Sequence, residues 1–199
     1  FPMLIVLEGI DGCGKTTQSR RLVEHLRAQG LTVTPLREPG GTRLGESVRA
    51  LLLDPATEAE PTAELFGYLT ARAQLCAAVI APALARGETV VLDRFYHSTL
   101  AYQGYGLGLD LDLVRAAIRL AIGGVRIDHA VWIDLDPVVA AQRRARVRAM
   151  DDRIEARGLA YLQKVHAGFA SLAAAGELQR IDGHRSEDEI AADILRALS

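Results

Sequence analysis

The residues Gly9-Ile10-Asp11-Gly12-Cys13-Gly14-Lys15-Thr16-Thr17 set glycines, a lysine and a hydroxyl at the spacing G-x-x-x-x-G-K-T, which suits the capture of phosphate. Glycine lets backbone N–H groups curl inward around an anion without Cβ clashes. A helix starting there points its positive end and unpaired N–H groups at the same anion. Lys15 brings a full charge to the β- and γ-phosphates of a nucleotide, and Thr16 offers a hydroxyl to Mg²⁺. The alternative is a chance match in a strand–turn–helix connection. The pattern predicts an ATP phosphate site built from Gly9, Asp11, Gly12, Cys13, Gly14, Lys15, Thr16 and Thr17. Cys13 sits where a helix N-terminus could lower a thiol pKa, but a small residue at a variable loop position is the stronger reading. Alkylation or oxidation there is expected to block the site.

The flanking elements fit this chemistry. Met3–Glu8 is an apolar run short enough for one buried strand, and past Lys15 the spacing turns helical, with Leu22, Val23 and Leu26 on one face. Further strands are predicted at 32–36, 89–93, 130–134 and 178–181. Helices are predicted through Leu44–Leu52, from Pro61 onward, near 111–121, from Pro137, near 159–174 and after Ser186, whose spacing to Glu189 is that of a capping box. Pro82 is expected to kink or end the helix that begins at Pro61. Strands alternating with helices imply a parallel sheet covered on both faces, an α/β fold. Neither a repeat nor a linker divides the chain, so residues 3–199 read as one domain, with Phe1-Pro2 an added remnant ahead of Met3.

Composition narrows the function. A length of 199 residues with 49% apolar residues suits a globular domain with a sizeable core, and no apolar run approaches membrane-spanning length. A formal charge of −2 argues against a general nucleic-acid or membrane-surface binder. The two cysteines, Cys13 and Cys76, form no metal-ligand pattern and suit a reducing compartment; with no signal peptide visible, a cytoplasmic location is expected.

Three further stretches narrow the chemistry. Arg37-Glu38-Pro39-Gly40-Gly41-Thr42, Asp93 through Gly104 (DRFYHSTLAYQG) and Asp152-Arg153-Ile154-Glu155 after several arginines, taken with Glu8–Gln18, resemble the thymidylate kinase family in content and order. The resemblance covers nearly the whole chain. It implies a P-loop nucleoside-monophosphate-kinase-like fold, a five-stranded parallel sheet flanked by helices with a short lid at about 143–157. The implied reaction moves the γ-phosphoryl of ATP onto dTMP, giving dTDP and ADP, and the implied assembly is a homodimer.

Phosphoryl transfer asks a protein mainly to position two anions and spread positive charge over the moving group. An acceptor that is itself a phosphate needs cations beyond Lys15. Arg94, just past the third strand, is a candidate at the carboxyl edge of the sheet where ligands of such sheets collect. Asp93 beside it suits Mg²⁺ or its water shell. A local ion pair or cap is the bland account of both. The resemblance makes Arg94 an acceptor-phosphate ligand and turns Asp11 toward the acceptor 3′-hydroxyl, although Asp11 also reads as a turn former. It brings Arg37 near the acceptor, where a tight turn is the alternative.

Tyr68 and Arg72 are four residues apart and share a helix face. They suit stacking on a pyrimidine and donation to its O4; a helical tyrosine by itself reads first as core packing, and the match to the family at Arg72 tips the reading to the base. Family members more usually carry Phe where Tyr68 stands. By the same resemblance Ser98 and Thr99 meet the thymine edge, Tyr102 crowds the sugar 2′ position, and Gln103 assists.

Position 12 is Gly, whereas one branch of the family has an arginine within the phosphate loop. Transition-state cations must then come from elsewhere, and Arg146, Arg148 and Arg153 are the nearest supply, as in the branch with lid-borne catalytic arginines. Arg143, Arg144 and Arg157 read as a solvated face. Closing such a lid would exclude water. The rival readings are another small P-loop nucleotide or deoxynucleoside kinase, and a nucleotide-binding module without turnover.

Overall fold

The computed structural model describes residues 2–147 and 152–198. Five parallel strands, β1 (Leu4–Glu8), β2 (Val33–Arg37), β3 (Thr89–Asp93), β4 (His129–Asp134) and β5 (Gln179–Asp182), form one sheet in the order β2-β3-β1-β4-β5. β1 is central and every one of its residues is buried, as a run apolar on both faces requires. Its alternation divides the core into two layers. Ile5 and Leu7 join Leu22, Val23, Leu26 and Phe169, whereas Leu4 and Val6 join Leu75, Ile80, Ala83 and Phe95.

The covering helices are α1 (Lys15–Ala28), α2 (Arg43–Leu53), α3 (Pro61–Leu75), α4 (Ala81–Ala85), α5 (Tyr96–Thr99), α6 (Leu111–Ile122), α7 (Pro137–Ala145), α8 (Leu159–Ala174) and α9 (Glu187–Ala197). The capping box expected at Ser186 and Glu189 is formed in full. Each apolar strand ends on a charged residue: Glu8, Arg37, Asp93, Asp134 and Asp182. These ends gather on one edge of the sheet, which is where the loops that carry chemistry begin.

Three features differ from the sequence reading. Pro82 does not end its helix, because a π turn at Cys76–Ile80 widens the coil just before it and passes α3 into α4. The resulting rod, Pro61–Ala85, is long and apolar enough by length and composition to cross a membrane, although no plain apolar run in the sequence is that long. It lies against the sheet and buries Glu64 and Arg72 in ion pairs, as a core helix does. The stretch after β3 shows no helical period in sequence, yet α5 continues through a second π turn, Leu100–Gly106. One short helical arm thus presents Ser98, Thr99, Tyr102 and Gln103.

Candidate active site

The loop after β1 is curled by glycine backbone geometry. Gly9, Gly12 and Gly14 have φ of 142°, 90° and 97°, values that side chains resist. α1 starts on Gly14 with no side-chain cap and no acid in its first turn, so its N-terminal N–H groups remain available to an anion. Gly12 has a second reason to lack a side chain: a Cβ there would lie 2.5 Å from the Ala140 carbonyl oxygen and 3.1 Å from Arg144 Cγ. α7 crosses the loop at that point. An arginine at position 12 would have no room, which accounts for the glycine noted in the sequence.

Lys15 is buried, its Nζ donating to the Ile10 carbonyl at 3.1 Å and lying 3.8 Å from Asp11 Oδ1. The Thr16 hydroxyl donates to Asp93 Oδ2 at 3.1 Å and ties the loop to the end of β3. Thr17 is half-buried behind it. Cys13 departs from expectation. Its side chain is 1% exposed within the core, and burial pushes the thiol up, against Lys15 and Arg94, which pull it down. An alkylating reagent has no approach to it in the folded protein.

Beside this loop lies a cavity of about 350 Å³. Lys15, Thr16, Asp11 and Asp93 line it on one side, and Arg37, Tyr68, Arg72, Arg94, Ser98, Thr99, Tyr102 and Gln103 line it elsewhere. The sequence-predicted phosphate and acceptor residues therefore meet in one space. Arg94 has φ 71°, a left-handed conformation unusual for a long side chain, and such strain persists only where surroundings over-determine it. Its guanidinium donates to Ser98 Oγ at 3.0 Å, Asp11 Oδ1 at 2.5 Å and the Tyr102 hydroxyl at 3.4 Å, and stacks over the Tyr102 ring.

Arg72 is only 2% exposed. It donates to Glu38 Oε2 from Nε and Nη2 at 2.8 and 2.6 Å, to Thr99 Oγ1 at 2.8 Å and to the Phe95 carbonyl at 3.2 Å. Arg37 is half exposed, paired with Glu46 at 3.1 Å. Gln103 gives its amide N–H to Glu64 Oε1 at 2.9 Å.

Sequence reasoning passed over several residues that hold this site together. Arg49 lines the cavity and donates to the Pro39 carbonyl, its pKa lowered by burial and by Arg37. Glu38 and Glu8 are buried carboxylates at 4% and 0% exposure. Glu64, also wholly buried, had a visible signal: Glu64, Tyr68 and Arg72 recur every four residues and fall on one helix face.

The arginines of the expected lid divide. Arg144 and Arg157, read as solvated, are both engaged. Arg144 donates to the Asp11 carbonyl at 3.1 Å and pairs with Glu155 at 2.7 Å. Arg157 pairs with Glu64 at 2.6 Å and stacks over Tyr161. The physical reason is that buried carboxylates recruit guanidinium groups. Burial, with Asp11 close by, pushes Glu155 up to about 7 even against Arg144. Arg143 is half-buried on α7. Arg153 donates to the Leu52 carbonyl at 2.7 Å and to Glu64 Oε2 at 2.6 Å, so its guanidinium is held by α2 and α3 rather than by the loop after β1. Arg146 is exposed at the end of α7 and is not among the cavity's described lining. Arg148 lies outside the described residues.

Comparison with known proteins bears on this arrangement. A family model described as Thymidylate kinase matches residues 7–194. The chain is 49% identical to a thymidylate kinase of Deinococcus radiodurans over 99% of its own length and 96% of that protein. It is 47% identical to one from Gloeobacter violaceus, over 98% and 94%. Among solved structures, thymidylate kinase from Ehrlichia chaffeensis superposes with a TM-score of 0.79 at 32% identity, covering 100% of this chain and 99% of that one.

Proposed function

The chain belongs to the thymidylate kinase family, and from that premise we propose how its own residues divide the work of moving the γ-phosphoryl of ATP to dTMP. The observation that carries the reading is that Lys15 lines the same cavity as Arg37, Arg72 and Arg94. A donor-phosphate lysine and a set of acceptor cations share one space, as transfer between two anions requires.

On the donor side, the loop Gly9–Thr17 and the uncapped start of α1 hold the ATP phosphates, and Lys15 exchanges its contacts with Ile10 and Asp11 for phosphate oxygens. Thr16 and Asp93 offer hard oxygen ligands side by side, a donor set that fits Mg²⁺, which keeps most of its own waters and binds through one or two protein oxygens. Bound there, Mg²⁺ would neutralise charge on the transferring phosphates. Arg144, which donates to the phosphate-loop carbonyl of Asp11, brings one arginine of the lid region onto the loop. Arg146 and Arg148 remain the further lid cations, and Arg153 anchors the lid stem.

On the acceptor side, Arg94 and Arg37 take the dTMP phosphate, with Arg49 contributing charge. Asp11 accepts from the 3′-hydroxyl and Tyr102 fills the space beside C2′. Four of the five Arg72 N–H groups are committed to Glu38, Thr99 and Phe95, which leaves one on Nη1 for thymine O4. Tyr68 stacks on the base, and Ser98, Thr99 and Gln103 build the wall behind it. An oxygen of the dTMP phosphate attacks the γ-phosphorus, the bond to the β–γ bridging oxygen breaks, and ADP leaves. The nucleophile is already ionised, so no protein base is needed.

Two copies are proposed to pair, since Leu51 on α2, Phe66 on α3 and Leu120 on α6 are large apolar side chains left exposed. A cytoplasmic location is proposed in keeping with free nucleotide substrates and two free thiols. The test of function is ADP release with dTMP, dUMP, dCMP, UMP and thymidine as acceptors, and with Lys15→Ala as control. dTMP is expected to lead and Lys15→Ala to be inactive. Equal rates with and without acceptor would replace the kinase by an ATPase, and dTMP without advantage over UMP would remove the base-pocket assignment.

A further inference from the structure

Glu8 ends the central strand just before the phosphate loop, carries a fully buried carboxylate, and has no part in the transfer described above. Its Oε1 accepts the N–H groups of Phe95 at 2.8 Å and Ser98 at 3.2 Å, and its Oε2 accepts the Ser98 hydroxyl at 2.5 Å. A serine hydroxyl has one proton. With that proton committed to Glu8, the Ser98 oxygen turns its lone pairs to Arg94, whose Nη1 donates to it at 3.0 Å. Asp11 holds the other arm of the guanidinium at 2.5 Å. The Arg94 N–H donates to the Leu7 carbonyl at 3.0 Å and fixes the strained main chain.

We propose that Glu8 is a positioning residue for the phosphoryl acceptor: its carboxylate sets the direction of the Ser98 hydroxyl, and through it the orientation of Arg94. The proposal rests on the reading of Arg94 as the acceptor-phosphate cation. What matters is the polarity of the relay as well as its shape. In Glu8→Gln the amide oxygen still serves the two backbone N–H groups, but the NH₂ donates to Ser98. The Ser98 proton is then left aimed at Arg94, donor against donor. Volume is unchanged and the relay is reversed.

Protonation of Glu8 reverses it in the same way. Burial raises this carboxyl to about 7, while the Ser98 hydroxyl, Arg94, the Phe95 N–H and Lys15 pull it back. The groups facing it are Arg94 beyond β3, Lys15 on α1, Tyr96, and His97, whose Nδ1 lies 3.8 Å from Glu8 Oε1. Burial holds His97 down to about 3 and pushes Tyr96 up, so neither changes charge near neutrality.

The experiment measures kcat and KM for dTMP from pH 5.5 to 9 in the wild-type enzyme, Glu8→Gln, Ser98→Ala, their double mutant and Arg94→Ala. Above pH 8, Glu8→Gln is expected to lose about 10- to 100-fold in kcat/KM, the range for a charge-assisted hydrogen bond. The ratio of wild type to Glu8→Gln cancels the titration of dTMP itself. It should rise with pH, level off above about 7, and converge toward one in acid. Adding Glu8→Gln to Ser98→Ala should cost little more. A ratio flat in pH, or additive costs with only thermal stability altered, would overturn the proposal. If Glu8→Gln does not fold, the ratio of wild type to Ser98→Ala must show the same rise, and a flat one overturns it equally. Unchanged kinetics in Arg94→Ala would overturn the underlying reading; crippled Arg94→Ala with a flat ratio overturns the Glu8 proposal alone.

Discussion

Arg72 and Glu38 face each other at 2.6 Å with both side chains almost closed to solvent. Thirty-four residues apart, they are brought together by the loop after β2 and the inner face of α3. A buried pair of this kind adds little against an apolar replacement, but removing one partner strands a charge. Glu38→Ala is therefore expected to destabilise the fold by about 3–5 kcal/mol, read by denaturant unfolding. Discrimination of dTMP from dCMP should fall as well, because a released guanidinium no longer has a fixed N–H for the base. A variant with wild-type unfolding would show that the pair is not what orders Arg72.

Gly12 and Gly14 share a left-handed conformation but not an environment. A Cβ on Gly12 meets the Ala140 carbonyl at 2.5 Å, whereas one on Gly14 meets nothing within 4 Å. Gly14→Ala carries backbone strain of about 1–3 kcal/mol, and Gly12→Ala carries that plus displacement of α7. Thermal unfolding of the two variants should rank Gly12→Ala clearly lower. Equal melting temperatures would mean that α7 yields without cost.

Glu64 joins three elements, since Gln103, Arg153 and Arg157 all donate to it. Burial alone would raise its carboxyl, yet hydrogen bonds from Arg157, Gln103 and Arg153 hold it below the ordinary value. Glu64→Ala should free the segment bearing both arginines, and tryptic cleavage after Arg153 or Arg157 should accelerate by about tenfold or more as local opening becomes easier. Unchanged cleavage would show that the Leu52 and Leu53 carbonyls, which also hold Arg153, suffice.

Glu8 gives a pH signature in stability as well as in activity. Its folded pKa of about 7 lies above the ordinary carboxyl value of 4.5, so the folded state binds the extra proton. Stability is then greatest below pH 4.5 as far as this group is concerned, and its contribution is lost as pH rises toward 7, by about 3 kcal/mol in order of magnitude. Unfolding free energies of Glu8→Gln should vary less between pH 5 and 7.5 than those of the wild type. A parallel pair of curves would exclude Glu8 as the titrating group.

The phosphate loop and its flanking strand and helix were legible from nine contiguous residues and their neighbours. Glycine conformations, an uncapped helix start and strand periodicity are short-range backbone properties. The capping box at Ser186 was legible for the same reason. The helical arm after β3 was not, because its DRFYHSTLAYQG residues carry no clear apolar period and part of the arm is a π turn. Nor was the fate of the charges. In sequence Cys13 reads foremost as a small loop residue, with activation by the helix start as the alternative, and only the packing above it determined that burial dominates.

Arg144 and Arg157 looked solvated because a charge run has no visible partner in sequence. Their partners are Glu155 and Glu64, the latter 93 residues distant from Arg157. Which carboxylate a guanidinium meets depends on strand order and helix packing, and those same contacts fix how far each group is desolvated. The chain's own spacing thus determined the shape of the proposed phosphate loop and its place between β1 and α1. Only the tertiary structure decided which cations face the cavity, which are anchors, and which buried acids orient them, because electrostatic partners are chosen by proximity in space after the sheet has formed.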